Sequence, residues 1–356
     1  MISQRIVIKE NEDIFSGHNT NDPNTSYLQN KRSFSHDSVL EPCTSIDSFT
    51  DDLSTIILAN GVKMPLLGLG TTHSGGYNHE AVVYALKECN YRMIDTAKRY
   101  GLEKELGEAI KESGIPREDL FINTKLWPTD FGSNVKNACK ISCQRLGIEY
   151  LDMYMIHLPI VPDSFESPKK IKEETWREME KLYESEIIRT IGVSNYTIND
   201  LEEILDFGSL KPHVNQCEFH PFYNNDEIRK FCDGENIQFM GYCPLAKGTI
   251  LYEPEILKLA QKYQKSSAQI CIKWSIQQGI PAIPKSRKSE RVEENCQVFD
   301  FDISQEDMEF IKKLGEARPK KVMNFDNIQN NFNLPDGNGR EVSVWDRVTE
   351  LHPYGY

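Results

Sequence analysis

From residue 55 to residue 316 the chain alternates short apolar runs with longer segments whose apolar residues recur at helical spacing. The runs end at Gly68-Leu69-Gly70-Thr71, Ile94-Asp95, Thr124-Lys125 and Ile156-His157. Four more end at Val193-Ser194-Asn195, Asn215-Gln216, Gly241-Tyr242 and Ile283-Pro284-Lys285. Between them, Val135, Ala138, Cys139, Ser142 and Leu146 fall on one helical face, as do Ile256, Leu259, Ala260 and Tyr263. Thr197 with Asp200 has the spacing of a capping box, as has Ser304 with Asp307 before a helix over 305–316, and Pro254 suits a first helical position. Upstream, residues 55–58 and 62–64 flank Ala59-Asn60-Gly61, which signals a tight hairpin. Eight strands alternating with helices predict an α/β chain folded as a (β/α)8 TIM barrel, with the hairpin across its bottom. The competing arrangement is a doubly wound open sheet with G-x-G-x-x-G after its first strand. Here Gly68-Leu69-Gly70-Thr71-Thr72-His73 lacks the third glycine, and the next helix begins only near Asn78.

The flanks read differently. Residues 1–54 are rich in Ser, Asn, Asp and Thr, bury too little apolar surface to offset chain entropy, and are expected to be a disordered extension. Residues 317–356 are Asn-rich and irregular but carry Phe325, Phe332, Trp345, Tyr354 and Tyr356, so this segment is expected to pack on the 55–316 barrel as part of the wall over a site. A hydrophobic content of 39% agrees with part of the chain lying outside any core. The formal net charge of -13 argues against a nucleic-acid groove or an anionic membrane as partner, so any anion site must be a local basic cluster. No apolar run approaches membrane-spanning length, and Met1-Ile2-Ser3-Gln4-Arg5 opens no apolar signal stretch. The nine cysteines form no C-x-x-C pair. A cytoplasmic monomer with free thiols and a small-molecule partner is the expectation.

A barrel gathers the carboxyl ends of its strands on one face, where active sites are built. On that face the pattern places Asp95, Lys125, His157, Asn195, Gln216, Tyr242 and Lys285, with Tyr100 and Gly101 shortly after Asp95. Singly, each has a plain alternative: Asp95 can cap a helix, Lys125 can be a solvated loop charge, His157 a satisfied core histidine. Lys285, Ser286, Arg287, Lys288 and Arg291 form a basic cluster in an acidic chain, either an anion site or a charged surface helix. His73, His79, His213, His220 and His352 show no metal-ligand spacing, and no metal is expected.

Six motifs occur in order: Met93-Ile94-Asp95-Thr96-Ala97-Lys98-Arg99-Tyr100-Gly101, Thr124-Lys125-Leu126-Trp127, Leu151-Asp152-Met153-Tyr154-Met155-Ile156-His157, Ile191-Gly192-Val193-Ser194-Asn195, Val214-Asn215-Gln216-Cys217-Glu218-Phe219-His220-Pro221 and Ile283-Pro284-Lys285-Ser286. Together they resemble the aldo-keto reductase family. The resemblance implies a reductase moving a hydride from NADPH to the carbonyl of a small aldehyde or ketone, with Asp95, Tyr100, Lys125 and His157 as catalytic tetrad. Tyrosine ionises near pH ~10, so it needs help to deliver a proton at neutrality. The resemblance casts Lys125 as lowering the phenol's pKa, Asp95 as holding Lys125, and His157 as orienting the substrate oxygen. It also implies cofactor contacts at Gly70, Thr71, Thr72, Asp95, Ser194, Asn195, Gln216 and Leu245, with Tyr242 as stacking surface. Lys285, Ser286, Arg287, Arg291, Glu294 and Asn295 are implied contacts to the adenosine 2'-phosphate and adenine, favouring NADPH over NADH. Tyr100, Trp127, His157 and Leu158 are the implied substrate wall.

The chain departs from the pattern at several points. Leu158 and Thr72 stand where relatives often carry an aromatic, which implies a wider pocket. Cys243 replaces a common serine, and Glu186 stands where a helix-ending glycine is usual. Two other readings remain at this level: a nucleotide-binding barrel with a regulatory or structural role, and a phosphate-metabolising barrel, which the basic cluster after strand eight disfavours.

Overall fold

The computed structural model describes residues 54–72 and 75–325. The expected disorder of 1–53 and the packing of 326–356, with Phe332, Trp345, Tyr354 and Tyr356, lie outside the described residues, as does His73.

Strands β1 (Thr55–Ile57) and β2 (Lys63–Pro65) pair antiparallel, with Ile56 opposite Met64. Their turn is not the two-residue Asn-Gly form. The Gly61 amide donates to the Leu58 carbonyl at 2.8 Å, and Gly61 itself carries φ 81°, so Ala59 and Asn60 are the central residues and the glycine makes the left-handed exit.

Seven parallel strands follow in sequential order: β3 (Leu69–Gly70), β4 (Met93–Asp95), β5 (Phe121–Leu126), β6 (Met153–Ile156), β7 (Ile191–Ser194), β8 (Val214–Glu218) and β9 (Gln238–Tyr242). The eighth expected strand is reduced to a bridge. Ala282 pairs with Gly241 on one side and Leu67 on the other, closing the barrel. Pro281 and Pro284 flank it and lack N–H donors, so in this stretch Ala282 alone donates to the Leu67 side, to the Leu66 carbonyl at 2.9 Å, while its own carbonyl accepts from Gly68 at 2.9 Å. Both prolines still accept, from the amides of Gly241 at 2.8 Å and Gly70 at 3.0 Å.

The helices between the strands are α1 (His79–Lys87), α2 (Glu103–Ser113), α3 (Val135–Leu146), α4 (Pro168–Glu184), α5 (Ile198–Phe207), α6 (Asp226–Gly234), α7 (Pro254–Tyr263) and α8 (Ser267–Ile276), with α9 (Ser289–Cys296) and α10 (Gln305–Ala317) after the closing bridge at Ala282. The predicted faces hold: Val135, Ala138, Cys139, Ser142 and Leu146 are buried, as are Ile256, Leu259 and Ala260. Thr197 and Asp200 form the capping box, Ser304 accepts from the Asp307 amide, and Pro254 opens α7. Glu186, beyond the end of α4, has φ 58°, the left-handed conformation that favours glycine.

Successive residues of a strand face opposite sides, and this parity sorts the core into two layers. Ile94, Ile122, Leu126, Tyr154, Ile156, Ile191 and Val193 face outward against the helices. Met93, Phe121, Met153, Met155, Val214 and Met240 fill the barrel interior, with Leu58 and Met64 of the hairpin region packed among them. The inward parity continues upward from these apolar residues to Asp95, Asn123, Lys125, Gln216 and Tyr242. The polar layer of the mouth is therefore the upper storey of the barrel's own packing.

Candidate active site

Asp95 ends β4, and Lys125 is the inward residue of β5 one register step above Asn123, which pairs with Asp95. The Lys125 ammonium donates to Asp95 Oδ1 at 2.6 Å and to the Thr96 carbonyl at 2.9 Å. Asp95 Oδ2 accepts from the side-chain amides of Gln216, at 2.7 Å, and Asn123. Both ion-pair side chains are almost wholly buried, at 1% and 3% exposure. With an ammonium and two amide donors on its oxygens, the buried Asp95 carboxylate has its hydrogen bonds satisfied without solvent.

Tyr100 closes a 3-10 turn over Lys98–Tyr100 whose exit needs the left-handed Gly101, φ 66°. That turn returns the phenol over the mouth, with the Lys125 ammonium 5.7 Å from the ring centre. His157 follows β6, and its ring meets Tyr100 edge-on at 5.6 Å between centroids and Trp127 at 5.3 Å. The four tetrad positions thus converge from β4, its following turn, β5 and the end of β6.

Burial pushes the Tyr100 phenol above its ordinary pKa, and the Asp95 carboxylate adds to the push. This is opposite to the lowering that the resemblance implied. The Lys125 charge is committed to Asp95, so little of its field is left for the phenol, while desolvation disfavours phenolate directly. Burial also lowers the Lys125 pKa, with Asp95 opposing. His157 lies well below the usual imidazole range through burial, then Lys125 and Arg99. Its ring is neutral at pH 7, and Nδ1 has no hydrogen-bond partner among the described residues. A neutral imidazole and a protonated phenol side by side make a pair of hydrogen-bond donors for one oxygen atom.

Five of the expected cofactor contacts, Thr71, Ser194, Asn195, Gln216 and Tyr242, form a connected network beside this pair. The Thr71 amide and hydroxyl both donate to the Asp95 carbonyl at 2.9 Å. Ser194 donates to the Gln216 carbonyl at 2.9 Å, and Asn195 Nδ2 donates to the His157 carbonyl and to Ser194 Oγ at 3.0 Å. The Tyr242 hydroxyl donates to Asn195 Oδ1 at 2.7 Å, which fixes the ring at the mouth. Asn195, Cys243, Ala246 and Lys247 all carry positive φ, so backbone strain gathers at the ends of β7 and β9.

Other expected contacts are placed differently. A Cβ on Gly70 would collide with the Ile283 carbonyl oxygen, so this glycine is required by barrel closure. The side chains of Leu245 and Leu158 are buried, at 7% and 1% exposure, Leu158 against Trp127. Phe325 packs on this Trp127–Leu158 pair, so the C-terminal segment brings an aromatic to the wall that Leu158 and Thr72 lack.

The basic cluster is a cavity wall, not a dispersed surface. Lys285, Ser286, Arg287, Lys288 and Arg291 line a cavity of about 230 Å³ together with Tyr77 and Asn78. Burial, then Arg287, bring the Lys285 ammonium down to about 8. Glu294 and Asn295 lie further along α9, outside the lining of this cavity.

Four contributors were missed in the sequence. Asn123 shares the inward parity of Asp95 and Lys125, a signal that could have found it. Arg99, which lies between Asp95 and Tyr100 in the first motif, is buried and lies 5.3 Å over the Trp127 ring. Tyr77 and Asn78 reach the basic cavity from the loop after β3, and no local pattern marks them.

Residues 66–316 match the model of the Aldo/keto reductase family. An uncharacterized oxidoreductase of Caenorhabditis elegans is 52% identical over 295 residues, covering 82% of this chain and 92% of that protein. Glyoxal reductase of Bacillus subtilis is 43% identical over 265 residues, covering 74% and 93%. Among solved structures, an aldo/keto reductase from Brucella melitensis superposes with a TM-score of 0.68 at 38% identity, covering 74% of this chain and 99% of its own. The Bombyx mori aldo-keto reductase, solved in complex with NADP, gives 0.70 at 29% identity, covering 79% and 97%. Motif order, barrel and matched span agree, and the chain belongs to the aldo/keto reductase family of oxidoreductases.

Proposed function

We propose that this chain is an NADPH-dependent reductase of small aldehydes and ketones, with Tyr100 as proton donor. The observation that carries the reading is the meeting of a protonated phenol and a neutral imidazole, 5.6 Å between ring centres, above the buried Lys125–Asp95 pair. When bound, NADPH supplies the hydride. The residues present fit such a cofactor, since the cavity rich in Lys and Arg suits a phosphate ester through charge-assisted hydrogen bonds.

The protein's own part is positioning and proton transfer. His157 and Tyr100 donate hydrogen bonds to the carbonyl oxygen, which aligns it and favours the negative charge it gains. The developing alkoxide is a stronger base than phenolate, so the Tyr100 proton moves to it even though burial holds that proton tightly. Lys125, held by Asp95, which Asn123 and Gln216 fix in turn, forms the buried floor beneath the phenol. In the reverse direction Tyr100 accepts the alcohol proton. The name of the Bacillus subtilis relative supports a small dicarbonyl among the substrates. The eight cysteines among the described residues are free thiols, which suits a reducing cytoplasm. Among those residues no helix is long and apolar enough to cross a membrane.

The test is NADPH oxidation with a panel of small aldehydes, ketones and dicarbonyls, comparing wild type with Tyr100→Phe. Loss of a general acid is expected to lower kcat roughly 10²–10⁴-fold, with cofactor affinity nearly unchanged. Equal turnover by the variant would refute the role of Tyr100.

A further inference from the structure

Above Gln216, the next inward residue of β8 is Glu218, which takes no part in the network around Asp95. It is 2% exposed, and both carboxylate oxygens are engaged. Oε1 accepts from the Val322 amide at 2.7 Å, and Oε2 from the Met323 amide at 2.8 Å. His220 Nε2 lies 3.0 Å from Oε1, while His220 Nδ1 accepts from the Phe222 amide at 3.3 Å. An Nδ1 that accepts leaves the ring proton on Nε2, so the wholly buried His220 donates to Glu218 as well. Two further bonds hold the same stretch: the Lys320 amide to the Phe222 carbonyl at 2.8 Å, and Lys247 Nζ to the Val322 carbonyl at 3.3 Å. Two residues beyond Met323, Phe325 rests on Trp127 and Leu158, and Trp127 touches the His157 ring.

We infer that Glu218 is a specificity-determining positioning residue, which clamps residues 322–323 so that Phe325 forms the wall of the pocket for the larger part of the carbonyl substrate. A carboxylate suits this clamp because every group facing it is a donor. An amide of the same size would turn an NH2 toward one of them, and a buried donor facing a donor loses its hydrogen bond. The wall then loosens around bulky substrates, whereas a two-carbon dicarbonyl that does not reach Phe325 is unaffected. The substrate half of this inference rests on the reductase reading; the clamp does not.

Glu218→Gln, Phe325→Ala and the double variant separate the two halves. Peptide-resolved hydrogen exchange should show residues 318–325 exchanging faster in Glu218→Gln by about tenfold, the loss of roughly one hydrogen bond, with β8 unchanged. Unchanged exchange in that stretch would overturn the clamp whether or not the protein turns over any carbonyl. With NADPH saturating, Glu218→Gln should raise KM for a phenyl-bearing aldehyde about tenfold while kcat and the KM for glyoxal change less than ~3-fold. Phe325→Ala should give the same profile, and the double variant should be no worse than Phe325→Ala. Additive losses, equal losses on glyoxal and the large aldehyde, or a weaker NADPH affinity would sink the specificity role. Wild type without turnover on any carbonyl would instead defeat the reductase reading, and the exchange experiment would still judge the clamp.

Discussion

Lys125 Nζ lies 2.6 Å from Asp95 Oδ1 in a place that neither side chain shares with solvent. Removing one member of a buried ion pair leaves an uncompensated charge and costs about 3–5 kcal/mol, whereas removing both is often much cheaper. Asp95→Asn and Lys125→Met should each lower the urea midpoint clearly. The Asp95→Asn, Lys125→Met double variant should lose less than the sum of the two. Additive losses in this cycle would mean that the two groups are not energetically paired.

The raised phenol of Tyr100 has a consequence for pH. Because the folded-state pKa lies above the unfolded value of ~10, the folded chain keeps a proton that the unfolded chain has released. This contribution to stability is complete below pH ~10 and is lost as pH rises further. The ultraviolet difference titration of wild type minus Tyr100→Phe, without cofactor, should show no phenolate signal below pH ~10. Ionisation well below that point would mean that Lys125 governs the phenol after all.

Lys285, brought down to about 8, titrates where the cofactor can be assayed. The ammonium is charged below that pH and neutral above it, so it attracts a phosphate below and not above. NADPH affinity, measured by fluorescence, should therefore weaken as pH rises from 7 to 9, by up to about tenfold per unit above the lysine's pKa. NADH, which lacks the 2'-phosphate, should change much less. Lys285→Ala should remove most of the NADPH dependence. Parallel pH curves for the two cofactors would undo the 2'-phosphate assignment.

Glu186 holds a left-handed backbone, φ 58°, on the exposed side of the turn after α4. The left-handed region costs a residue with a Cβ roughly 1–2 kcal/mol, and glycine avoids that cost while losing some chain entropy. Glu186→Gly should therefore stabilise the fold by about 0.5–1 kcal/mol, read as a rise in Tm of a few degrees. Glu184→Gly, inside the last turn of α4, should act in the opposite direction. A lower Tm for Glu186→Gly would show that the side chain contributes more than the strained φ removes.

Strand parity was legible along the chain because it is local. Met93 and Asp95, or Phe121, Asn123 and Lys125, must share a face in any strand, so the polar storey of the mouth could be read from alternate positions. Strand ends, helix faces and the capping box at Thr197 followed from the same short-range rules. What the tertiary structure decided are relations across long separations. Gln216 reaches Asp95 over 121 positions only because the barrel closes, and Tyr77 joins the basic cavity only because the loop after β3 lies beside the segment after Ala282. The direction of the Tyr100 shift also needed the fold. A nearby lysine argues for a lowered pKa, but burial and the prior pairing of Lys125 with Asp95 outweigh it, and neither quantity is written in the order of the residues. Likewise Leu158 is an apolar gap in a motif until Phe325, carried in by the segment after α10, packs against it.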